Sequence, residues 1–221
     1  MLLQRFTDNK VLAAGALSLL ILAGCGGSGA VRDTAATGEP VSGTSPQAVG
    51  MPMPEAPAGV QTLFEQATAV MAAGDFLDAE LRFKEFVLQY PGYPGAWVNL
   101  AIIHGNNEND DAARAALDKA LAINPDHPAA LNQLGMLLRR NGNFLEAEAA
   151  YLKAVTVSPD YALAHYNLGV LNELYLQRLE TALQHFEIYQ SLVGEDKQVE
   201  KWIADLKRRV AASQQTANVA E

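Results

Sequence analysis

Trp97-Val98-Asn99-Leu100-Ala101, Leu131-Asn132-Gln133-Leu134-Gly135 and His165-Tyr166-Asn167-Leu168-Gly169 stand 34 residues apart. Each places a large residue first, an apolar residue fourth and a small one fifth. Other columns keep the same phase. Pro91, Pro125 and Pro159 form one, Ala79, Ala113 and Ala147 a second, and Phe83, Leu117 and Tyr151 a third. Leu63 precedes Trp97 by the same interval. A period of 34 is that of a helix–turn–helix unit. The small residues let two helices approach closely, the large apolar ones fill the space beside them, and the proline ends the second helix.

These segments resemble the tetratricopeptide repeat, whose pattern is W-x2-L-G-x2-Y…A-x3-F…P. Ala79-x3-Phe83, Ala113-x3-Leu117, Ala147-x3-Tyr151 and Ala182-x3-Phe186 carry its second half. The resemblance covers about 60% of the chain. It implies an all-α superhelical solenoid of about four repeats over 60–193 (60–93, 94–127, 128–161 and 162–193). A capping helix over 194–212 and a disordered tail over 213–221 follow. The first unit departs from the pattern, with Gln66 where leucine is usual and Phe86 where a small residue is usual. Terminal repeats are often atypical because one side has no neighbour. The second has an irregular polar turn, Gly105 to Asp111. Its spacing does not fit a calcium loop and reads better as a helix cap. The fourth carries one extra residue, and its turn, Leu176-Gln177-Arg178, lacks the usual glycine. In the last helix Val199, Trp202, Ile203, Leu206 and Val210 share a face. That face suits a solenoid cap, and Trp202 could alternatively dock a partner.

The N-terminus has the layout of a secretory signal. Arg5 and Lys10 precede an apolar run from Val11 to Ala23. As a helix that run would be roughly 20 Å long, short for a stable span. Leu22-Ala23-Gly24-Cys25 resembles the bacterial lipobox. The resemblance implies a signal peptide over 1–24, removed before Cys25, and lipidation of Cys25 with acyl chains such as palmitate. Gly26 stands where an Asp would favour inner-membrane retention, so the expected address is the outer membrane, facing the periplasm. The stretch 25–59 is rich in Gly, Ser, Thr, Ala and Pro and reads as a disordered tether. Within it Met51-Pro52-Met53-Pro54 could alternatively bind a partner.

The chain of 221 residues carries a formal net charge of −9, which argues against a nucleic-acid partner. Its single cysteine excludes an internal disulfide. His104, His127, His165 and His185 are scattered in sequence, with no metal-binding spacing. Neither a nucleophile–base constellation nor a phosphate-binding glycine loop occurs, so no enzyme and no cofactor is expected.

Binding remains. In the family that the repeats resemble, the first helices of successive units line a concave groove. The resemblance points to Phe64, Val98, Asn99, Ile102, Asn132, Met136, Arg139, Arg140, Tyr166, Asn167 and Val170 as groove residues. About half of these could instead pack between helices. The lysines of the carboxylate-gripping members are missing from the first helices. The expected role is a lipid-anchored scaffold for an envelope protein, by analogy with repeat lipoproteins of pilus and secretion machines. Alternatives are a scaffold for a cell-wall enzyme or energy-coupling complex, and a small-ligand carrier.

Overall fold

The computed structural model describes residues 58–219. Cys25, the signal sequence and most of the expected tether lie outside them. The described residues form α1 (Ala58–Ala72), α2 (Phe76–Gln89), α3 (Pro94–Asn106), α4 (Asp110–Ile123), α5 (Pro128–Arg140), α6 (Phe144–Val157), α7 (Ala162–Leu174), α8 (Leu179–Val193) and α9 (Lys197–Val219), with no strand among them. Short turns make α1/α2, α3/α4, α5/α6 and α7/α8 antiparallel pairs. The result is a helical solenoid of repeats ending in α9.

Local chemistry sets the helix ends. Pro94 and Pro128 occupy the first turns of α3 and α5, where a missing N–H costs nothing. Asp75 and Asn109 accept from Asp78 N and Ala112 N and so cap α2 and α4. Within each pair the turn places one residue in the left-handed region, namely Gly74 (φ 85°), Glu108 (φ 58°), Gly142 (φ 80°) and Gln177 (φ 57°). The irregular second turn and the glycine-free fourth thus reproduce the backbone of the other two with costlier residues. The residue after each closes the turn. Asp75 N–H donates to Val70 O, Asn109 to His104 O and Asn143 to Leu138 O. In the fourth unit Arg178 N–H donates to Asn172 O, one residue further back, so the insertion is absorbed at the end of α7.

The repeated columns form the core. Ala79, Ala147 and Ala182 are fully buried, as are Phe83, Leu117, Tyr151 and Phe186 to within about a percent. Close approach requires glycine at two places. A Cβ on Gly135 would lie 2.5 Å from the Tyr151 ring, and one on Gly169 would lie 2.7 Å from the Phe186 ring. Ala101 fills the same column opposite the smaller Leu117. Leu63 departs from its column and is 46% exposed. Trp97, its repeat-mate, packs beside the preceding unit, and no described helix precedes α1.

α9 extends beyond the expected cap. Its N-terminus is held by Asp196, whose carboxylate accepts from Gln198 N and Val199 N. Val199, Ile203, Leu206 and Val210 are buried. The tail expected to be disordered is helical as far as Val219. Gln214, Gln215 and Ala217 favour helix there, and Gln214 reaches Glu180 of α8 at 3.5 Å.

Candidate functional site

A concavity of about 400 Å³ opens where α3, α4 and α5 meet the end of α7. Ala101, Ile102 and Gly105 of α3 line one side, with Ala113 and Leu117 of α4 beneath. Gln133, Met136, Leu137, Arg139 and Arg140 of α5 line the other, and Tyr175 closes one end. Ile102 and Met136 occupy the same repeat position one turn of the solenoid apart. Their side chains face the gap because they lie five residues past the core residues Trp97 and Leu131. The apolar floor comes from the α3–α4 core.

The two arginines on this rim differ. Arg140 is already committed, with Nε and Nη2 donating to the Asp110 carboxylate and Nη1 to Gly105 O at 2.9 Å. It ties the third repeat to the turn of the second. Arg139 is half-buried and makes no ion pair among the described residues. Its charge reaches two phenols. Burial pushes the Tyr151 hydroxyl up to about 12 and raises that of Tyr166, and Arg139 opposes both shifts. The Tyr151 hydroxyl is buried without a hydrogen-bond partner among the described residues.

Ile102, Met136, Arg139 and Arg140 are therefore brought together. The other expected groove residues are not. Val98, Asn132 and Asn167 are buried at 4%, 1% and 6% exposure. Asn167 Nδ2 donates to Asn132 Oδ1 at 3.0 Å, linking α5 and α7, and Asn132 Nδ2 in turn donates to Met136 Sδ at 3.8 Å. Phe64 packs edge-on against Phe83 and Phe86, with ring centroids 5.8 and 5.7 Å away. Tyr166 is covered by the C-terminal cap and lies among Phe186, Tyr189 and Trp202 at 6.0, 5.3 and 6.0 Å. Val170 packs against the same cluster. These residues hold helices together and leave little for a partner. Asn99 is half-buried and does not line the concavity.

Sequence reasoning missed Gln133 and Tyr175. Gln133 sits in the column of Asn99 and Asn167, which offered a signal. Tyr175 is placed by the extra residue at the end of α7 and stacks on Phe144 with centroids 4.6 Å apart, which no spacing foretold. The histidines are not all scattered in space. His165 and His185 meet across α7 and α8. No group of three or more His, Cys, Asp or Glu side chains among the described residues could hold a metal ion. None of the described helices is long and apolar enough to cross a membrane.

The sequence pattern of the tetratricopeptide repeat matches residues 64–128 and 132–196, more than half of the chain. The chain belongs to the tetratricopeptide repeat family. Its all-helical tetratricopeptide array is accordingly a scaffold for protein–protein interaction. Among solved structures it is similar to pilF of Pseudomonas aeruginosa, with 22% identity and a TM-score of 0.62, covering 71% of this chain and 72% of that one. It is also similar to MamA, with 26% identity and a TM-score of 0.51 over 60% of this chain and 77% of that one. The first tetratricopeptide domain of Spaghetti (RPAP3), solved with an HSP90 peptide, is 19% identical with a TM-score of 0.50, over 53% of this chain and 95% of that one. No curated protein matches the chain by sequence.

Proposed function

We propose that this protein is a lipid-anchored scaffold of the cell envelope, non-catalytic, which holds a segment of another envelope protein between α3 and α5. The reading rests on the concavity at Ile102, Met136 and Arg139, an open apolar-floored site in a fold that works by protein contact. The anchor rests on Leu22-Ala23-Gly24-Cys25 and on the basic and apolar residues before it. Lipidation of Cys25 would place the array in the periplasm at the outer membrane. Such a scaffold would assist assembly or stability of an envelope machine of the pilus or secretion kind.

A photo-crosslinking residue placed at Met136 in cells tests the site. The same residue at Leu145, exposed on α6, is the control. The expected result is one crosslinked envelope protein from position 136 and none from 145. Equal products from both positions, or none, would refute it. Incorporation of labelled palmitate by the wild type, lost in Cys25→Ser, tests the anchor separately.

A further inference from the structure

Arg139 is the anomaly of this molecule. Arg82, Arg114, Arg140, Arg178, Arg208 and Arg209 each sit against an Asp or Glu side chain. Arg139 alone among the described arginines does not, although acidic residues outnumber basic ones by 25 to 16 in the chain. It is also partly withdrawn from water and lines the concavity beside Met136, Gln133 and Tyr175. A guanidinium so placed loses hydration and gains no counter-charge from the described residues. Its planar donor set matches a carboxylate. The neighbouring floor of Ile102, Leu117 and Leu137 is apolar and large enough for one bulky side chain.

We infer that the partner segment presents a side-chain carboxylate to Arg139 next to a large apolar side chain that fills the floor between α3 and α5. This rests on the scaffold reading above and specifies the chemistry that such a partner must carry. Arg140 does not share the task, because Asp110 and the Gly105 carbonyl hold it. One arginine unpaired among the described residues asks for one acid, so the recognised motif is short and mostly apolar.

The probe is a peptide library displayed with its C-terminus fused to the carrier, so that any selected carboxylate is a side chain. Selected peptides are then measured by fluorescence anisotropy, each beside its Asp→Asn or Glu→Gln counterpart. The proteins are wild type, Arg139→Gln and Met136→Glu. The expected result is a loss of about tenfold or more on wild type when the acid becomes an amide. On Arg139→Gln the same exchange should matter less than about twofold. Melting curves check that both variants fold. Peptides that lose affinity with Met136→Glu but ignore the acid-to-amide exchange would overturn the inference and leave the site standing. Selection of no peptide, or of peptides indifferent to both variants, would overturn the inference and the site together.

Discussion

His165 and His185 meet with their Nδ1 atoms 3.1 Å apart. The tautomers follow from a second bond. His165 Nε2 lies 3.0 Å from the carbonyl oxygen of Pro159, which can only accept. With both rings neutral, His165 therefore carries its proton on Nε2, its Nδ1 accepts, and His185 Nδ1–H donates. Trp97 makes the equivalent bond, from Nε1 to Pro91 O at 3.0 Å. His165 thus replaces the repeat's tryptophan while leaving a lone pair that His185 uses.

This pair makes stability depend on acidity. Burial, and then the charge of His165, lower the His185 pKa to about 4. The unfolded chain would take up a proton near 6.5, so it binds more protons than the native state between pH 6.5 and about 4. The contribution of His185 to stability is full above 6.5 and is lost as pH falls through that window. His127 is lowered by burial and acts in the same direction, so the informative quantity is a difference. Melting temperature should fall less steeply over pH 6.5 to 4 in His185→Asn than in wild type. Parallel curves would show that the pair does not carry the dependence.

Gly135 and Tyr151 give a packing prediction. Adding a methyl at Gly135 drives it into a ring with no exposed surface. Gly135→Ala should cost about 1–3 kcal/mol, net of the gain in helix propensity. The second repeat already uses the compatible pair, Ala101 with Leu117. Gly135→Ala combined with Tyr151→Leu should therefore cost less than the sum of the two single changes. Urea denaturation of all four proteins measures the coupling, and simple additivity would contradict direct contact. Tyr151→Phe is expected to be neutral or stabilising by up to about 1 kcal/mol, because its hydroxyl has no partner among the described residues.

The four left-handed turn positions supply an internal control. Glu108 and Gln177 hold a conformation that a side chain disfavours by about 1–2 kcal/mol, whereas Gly74 and Gly142 hold it freely. Glu108→Gly and Gln177→Gly should each stabilise by about 0.5–1 kcal/mol, since glycine's greater unfolded entropy offsets part of the relief. Gly142→Ala should destabilise by a similar amount. Thermal melts of the three variants check the signs. A destabilising Glu108→Gly or Gln177→Gly would mean that contacts of the replaced side chain outweigh backbone strain, and a stabilising Gly142→Ala would contradict the strain argument.

The repeat and its helix pairs were legible because each column has one physical job in every unit. Gly135 and Gly169 announced close crossings, and the alanine and aromatic columns announced the core. What a column faces beyond its own unit was not legible. Leu63 shares a column with Trp97 but is exposed, since no described unit stacks on α1. Tyr166 shares a column with Val98 and Asn132 but is closed over by α9, whose Trp202 ring lies 36 residues from Tyr166 in sequence. Val98 and Asn132 were expected to face a partner, and both are buried between first helices. The His165–His185 contact joins residues 20 apart across two helices, so no local spacing signals it. Ile102 and Met136 were legible as neighbours, because one repeat period separates them and nothing intervenes.

Trp202 decides whether α9 is a cap or a docking surface. Its ring lies 6.0 Å from Tyr166 and 5.6 Å from Phe186, and the side chain is half-buried. Ring clusters of this kind contribute area burial and a further geometric term. Trp202→Ala should cost about 2 kcal/mol, below the roughly 3–5 kcal/mol of a fully buried ring. It should also leave Tyr166, Val170 and Tyr189 wet, raising binding of a hydrophobic dye to the native protein. If Trp202 served a partner instead, its removal would leave the melting temperature within about a degree of wild type and dye binding unchanged. A lowered melting temperature with an unaltered crosslink at Met136 would assign α9 to stability and the α3–α5 concavity to recognition.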